Sequence, residues 1–240
     1  MSHVKNLQNF DKVIAVCTGL GGNYNPGNQN LSVQELTTLL NNARTAYESM
    51  KEARSGYKDA TNNREVKFEG IDKLAARILS ELKSSNVKEQ TVADAREMTR
   101  KLAGRKASRD PVSVEPPAAT EPPKKRRARG LDFASMADNF GILVMTVSEQ
   151  PNYHPNMEDL KVEALQEKLE QLRVANANVS TTRAQWMNAS WSLNDMLYTN
   201  PGSVYDTVKD VRLQMKAIFG YRSEPRQAVT KIQISKPTTL

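Results

Sequence analysis

The chain has 240 residues, 38% of them apolar, and a formal charge of +7. That is enough apolar material for a modest core, yet no run approaches the roughly 20 apolar residues that a membrane span needs. The opening "MSHVKNLQNFDK" has no basic start followed by an apolar run, so no secretory signal is expected, and a single cysteine excludes an internal disulfide and suits a reducing compartment.

Phe10, Val13, Ile14 and Cys17 come first in chain order, at the spacing of one helix face. Cys17 lies in "VIAVC", where it reads as a small buried hydrophobe rather than a nucleophile, because no base stands near it in sequence. Next comes "NYNPGNQNLSV", residues 23–33, in which Pro26 cannot continue a preceding helix. Ser32 and Glu35 have capping-box spacing and start a long helix. Its apolar seam runs through Leu36, Leu40, Ala43, Tyr47, Met50, Arg54 and Tyr57, in alternating steps of four and three. A helix carrying Ile71, Leu74, Ile78 and Leu82 follows. A fourth spans 88–103, introduced by Asn86 and Glu89.

Residues 104–130 break this pattern. They hold eight Lys/Arg against three Asp/Glu, a net of +5, together with five of the 11 prolines. With almost no large apolar side chain, the segment reads as an extended, disordered linker between an N-terminal part, 1–103, and a C-terminal part, 131–240. The remaining 213 residues carry only +2, so the basic character is local.

The second part repeats the first. Phe133, Met136, Phe140, Leu143 and Val147 form a short apolar helix, and "NYHPNMEDLKV", residues 152–162, echoes the earlier turn. With residues 23–60 placed over 152–189, eleven of 38 positions are identical, without a gap. The second seam, Leu165, Leu169, Leu172, Asn176, Val179, Arg183 and Trp186, keeps the step pattern of the first. Val204, Val208, Val211, Met215 and Ile218 mark the helix after it. The tail, "YRSEPRQAVTKIQISKPTTL", predicts a short helix or an extended segment lying on the bundle. The expected fold is therefore all-α: two internally homologous helical-bundle halves joined by the basic linker. The seams could close within a half, pack across a pseudo-twofold, or pair between chains.

Catalytic chemistry finds little purchase. The only histidines are His3 and His154, no Cys/His or Asp/Glu group has metal-ligand spacing, and "GLGGNYNPG" lacks the Lys-Ser/Thr of a phosphate loop. No catalytic residue, metal or cofactor is expected. Tyr24, Pro26, Tyr153 and Pro155 read as turn-forming residues, with a twinned ligand loop as the sharper alternative. Arg54 and Arg183 occupy seam positions, where a guanidinium must snorkel or find a partner; Asp72 and Asp206, opening the following helices, are candidates for an ion pair that fixes register. Trp191 lies off the heptad register and is the foremost candidate for an intermolecular contact. Lys124, Lys125, Arg126, Arg127 and Arg129 could touch a polyanion, without aromatic residues for base stacking.

The paired Asn-Tyr-X-Pro turns, "SNVKEQTVADAREMTRKLAGRK" at 85–106 and "VKDVRLQMKAIFGYRSE" at 208–224 resemble a group of uncharacterised bacterial proteins built from a duplicated helical bundle. The resemblance implies a helical fold and a bacterial cytoplasmic setting, and brings no activity or cofactor with it. The expected role is a non-enzymatic structural or scaffolding one. The chain would associate with itself through helix faces, into filaments or a lattice. The rival is a nucleic-acid accessory role for the basic linker.

Overall fold

A computed structural model of the chain describes residues 3–104 and 132–236. Of these, 81% are helical and none is in a strand, as the all-α reading requires. Most of the basic segment expected as a linker, with Lys124, Lys125, Arg126, Arg127 and Arg129, lies outside the described residues.

Among the described residues, eight α-helices run α1 His3–Gly19, α2 Val33–Phe68, α3 Ile71–Ser84, α4 Glu89–Leu102, α5 Phe133–Ser148, α6 Val162–Asn194, α7 Val204–Phe219 and α8 Glu224–Lys231. Two 3-10 turns, Gly21–Asn23 and Gln29–Leu31, precede α2 and one, Glu158–Leu160, precedes α6, and α6 passes into a π-helical turn, Asp195–Thr199. Local chemistry sets several of these boundaries. The Ser32 hydroxyl accepts from the Glu35 N–H (3.3 Å), and the Asp132 carboxylate accepts from the Ser135 N–H (2.8 Å), capping α2 and α5. Gly70 and Gly202 adopt left-handed φ values of 75° and 78° before α3 and α7, which permits the sharp change of direction there. The cap predicted at Asn86 is not formed. Asn86 itself takes a left-handed φ of 53°, and α4 starts from Lys88 without a side-chain cap.

Contacts gather the chain into two compact units that cut across the sequence halves: residues 1–58 with 181–240, and residues 59–180. Unit 1 combines α1 and the first part of α2 with the end of α6, α7 and α8. Its core holds Phe10, Leu36, Leu40, Leu197, Val211 and Met215. Unit 2 combines the end of α2, α3 and α4 with α5 and the first part of α6. Its core holds Ile71, Ile78, Leu82, Phe140, Leu165 and Leu172. Burying each such side chain is worth about 1.5–3 kcal/mol.

The burial pattern repeats. Leu7, Phe10, Val13, Ile14 and Cys17 of α1 are buried, and so are Ala137, Phe140, Leu143, Val144 and Val147 at the same spacing in α5. Ile71, Ala75, Ile78 and Leu82 of α3 match Val204, Val208, Val211 and Met215 of α7. Among the described residues, no helix is long and apolar enough to cross a membrane.

Candidate interaction surfaces

The two Asn-Tyr-X-Pro turns are built alike. The Tyr24 hydroxyl donates to the Leu31 carbonyl at 2.9 Å, and the Tyr153 hydroxyl donates to the Leu160 carbonyl at 3.0 Å. Both bonds span seven residues and close the turn over a buried ring; Pro26 and Pro155 are buried beside them. Burial raises both phenol pKa values. In unit 1 the tyrosine meets Cys17, whose thiol is fully buried and is pushed up to about 11 by that burial. The second turn borders a cleft of about 630 Å³ lined by Gln150, His154, Lys161 and Glu163, among others. Lys161 is held at 2.7 Å by Glu158.

The first seam is buried only near the start of α2, whereas the second stays covered as far as Val179, halfway along α6. Leu36, Leu40 and Ala43 are at most 2% exposed, and Leu165 and Leu172 are fully covered. Tyr47, Met50 and Asn176 are half-buried. Arg54 and Arg183 are exposed, which is the snorkelled alternative and not the buried register pair: the guanidinium heads stay in water. Asp72 is exposed in the first turn of α3. Asp206, half-buried in the first turn of α7, meets Lys209 at 3.2 Å and the Ser203 hydroxyl at 3.4 Å. One turn beyond each Arg, Tyr57 and Trp186 stack with ring centroids 5.5 Å apart and planes within 14°. These two residues occupy equivalent places in the two seams.

Trp191 is 58% exposed. It borders a cleft of about 490 Å³ shared with Leu39, Asn188, Asp195, Met196 and Asn200, where α6 widens into its π turn. Met187, one helical turn earlier, is 38% exposed, so the two form an apolar stripe on α6. Unit 2 has a different stripe, Ile142 (50% exposed) and Met145 (62%) on α5. Sequence periodicity pointed to Trp191 but not to the α5 stripe, because that helix is apolar on nearly every side.

A third feature was not foreseen in detail. After α8, residues 232–236 run extended against α1 and α7, and Ile234 is buried. Side chains hold this segment by its main chain. Asn9 donates to the Gln233 carbonyl at 2.7 Å, Asn6 to the Ser235 carbonyl at 2.9 Å, and Arg212 to the Ile232 carbonyl at 2.6 Å. Asn6 also donates to the Tyr198 hydroxyl at 2.8 Å, and that hydroxyl lies 3.1 Å from His3 Nδ1. The signal for this clamp was present in the sequence as two asparagines on the apolar face of the first helix.

Among the described residues, no group of three or more His, Cys, Asp or Glu side chains could hold a metal ion. No protein-family model, curated protein or solved structure matches the chain.

Proposed function

We propose that the protein is a non-enzymatic scaffold that associates with further copies of itself through exposed helix faces. The observation that carries this reading is the Met187–Trp191 stripe, with an indole left more than half in water beside a cleft. Exposed Trp with a neighbouring pocket has the make-up of an interface anchor, since Trp dominates binding energy where it is desolvated by a partner. The α5 stripe of Ile142 and Met145 supplies a second, unlike face. Two unlike faces on one chain suit a head-to-tail contact, which propagates into a filament when the rotation does not close.

The halves derive, on this reading, from a duplicated ancestral bundle. Support comes from the matched turn bonds of Tyr24 and Tyr153, the matched burial in α1 and α5, and the stack of equivalent residues Tyr57 and Trp186. Light scattering across a concentration series tests self-association. The mean mass is expected to rise with concentration in the intact chain and to fall back towards the monomer in Trp191→Ala. A strict monomer at the highest concentration contradicts the proposal.

The charge distribution favours a second reading, in which residues 104–130, at net +5, bind a nucleic acid. Such binding is expected to be steeply salt-dependent and to vanish when 104–130 are deleted, while self-association survives.

A further inference from the structure

We infer that the groove between α1 and α7 is an acceptor site for an extended polypeptide, and that its occupant in the assembled protein is residues 232–236 of a second copy. This rests on the self-association proposed above and names a surface for it. The groove reads main chain: Asn9, Asn6 and Arg212 each donate to a carbonyl of the extended segment, at 2.7, 2.9 and 2.6 Å. Ile234 is the one buried side chain within that segment, at 7% exposure. This is the division of labour found where an extended peptide is bound by its backbone and selected by a pocketed side chain.

The corresponding surface in unit 2 is closed differently. Helix α4 packs on α5 and α3 there, burying Ala95 and Leu102. At the spacing that matches the buried faces of α3 and α7, Leu79 stands where α7 has Arg212. In α5, Met136 stands where α1 has Asn6. Unit 1 thus carries polar groups at positions that are apolar in unit 2, and two of them bind carbonyls of the segment.

The chain's own segment fits this groove incompletely. Asn6 is fully buried, and both hydrogens of its amide nitrogen are used, by Tyr198 and Ser235. Its Oδ1 lacks a hydrogen-bond partner among the described residues, and so does Arg212 Nε. The Ser235 carbonyl fixes the amide orientation, because turning it would set two acceptors face to face. A buried acceptor and a buried donor left unpaired make the intramolecular arrangement expensive to hold. The same segment from another copy is free of the short connection through α8 to α7, and so can shift register to place an N–H at Asn6 and a carbonyl at Arg212.

The test uses full-length protein carrying Ile234→Asp, which removes the anchor of the resident segment, and a fluorescein-labelled peptide of residues 230–236, TKIQISK. Fluorescence anisotropy is expected to show saturable binding to Ile234→Asp. Binding to the unaltered chain is expected to be about tenfold weaker or less, because a tethered competitor fills the groove. Adding Asn9→Leu to Ile234→Asp should abolish it. An Ile234→Asp protein that keeps its helical content and does not bind the peptide overturns the inference. If that variant loses its helices, a full-length chain carrying Ile234→Ala, which weakens the anchor without burying a charge, takes its place in the same titration. Saturable binding tighter than to the unaltered chain supports exchange, and its absence overturns it. Oligomers in light scattering of a chain that does not bind the peptide would reject the groove and leave association through the helix stripes standing.

Discussion

The two compact units use one parts list and finish it differently. Each has a short apolar helix, a tyrosine-closed turn, the opening of one long helix, the end of the other, and the helix that follows it. Unit 2 is then closed by α4, whose Ala95 and Leu102 join an apolar core. Unit 1 is closed by the eight-residue α8 and an extended segment held by Asn6, Asn9 and Arg212. The difference teaches that the shared residues serve shape, while the residues that differ mark where a unit can engage something else. Arg44 and Arg173 make the same point on a small scale. Arg44 meets Asp11 of α1 at 2.8 Å, whereas Arg173 lies beside Gly141 of α5, where no carboxylate is available. Both side chains of the Arg44–Asp11 pair are about half exposed, so its loss in unit 2 costs little.

The largest effects should come from the equivalent core rings. Phe10→Ala and Phe140→Ala are each expected to cost about 3–5 kcal/mol in denaturant unfolding, because each leaves a fully buried ring-sized cavity. Very unequal losses would show that the two short helices do not play the same part. Cys17 offers a pH-dependent contrast, because unit 2 has Val147 in the matching place. Burial raises the folded-state thiol pKa from 9.0 to about 11. The neutral thiol therefore favours the folded state fully below the unfolded pKa, and that contribution disappears as pH rises from about 9 to about 11. Its size is on the order of 2 kcal/mol, and Cys17→Val should flatten the stability curve across this window relative to the unaltered chain.

The turn bonds should weigh alike. Tyr24→Phe and Tyr153→Phe each remove one buried hydrogen bond and leave a carbonyl unpaired, at about 1–2 kcal/mol in chemical denaturation. At the small end, Gly141→Ala should stabilise unit 2 by about 0.5–1 kcal/mol. An added Cβ would meet Leu169 at 3.5 Å and Arg173 at 3.6 Å, ordinary contact distances, and alanine lowers the entropy of the unfolded helix. Thermal unfolding of Gly141→Ala would detect the gain.

Much of the fold was legible in the sequence because helical period survives in the local pattern: Phe10 to Cys17, Leu36 to Ala43, Val204 to Met215. The Pro-marked turns were equally legible, since Pro26 and Pro155 bar helix continuation whatever surrounds them. Four features were not. Which helices share a core depends on long-range packing, and the seams of α2 and α6 carry no label saying which neighbour they meet. Arg54 and Arg183 fit the heptad by position, yet their long stems let the charge leave the seam. The π turn at Asp195–Thr199, closed by the Asn200 N–H on the Asp195 carbonyl, is marked by no side-chain period. The tail clamp needed Arg212 and Asn6, far apart in sequence, to be brought to one segment; only the misplaced asparagines of α1 hinted at it.

The central claim is that each compact unit is completed by elements from both sequence halves, and fragment complementation tests it most directly. Residues 1–104 and 132–240 are prepared separately and then mixed one to one, with far-ultraviolet circular dichroism followed through thermal unfolding. The account predicts that each fragment alone melts without a cooperative transition, because each lacks half of both cores, and that the mixture recovers a cooperative transition. Cooperative unfolding of either fragment alone, at the melting temperature of the intact chain, would contradict it.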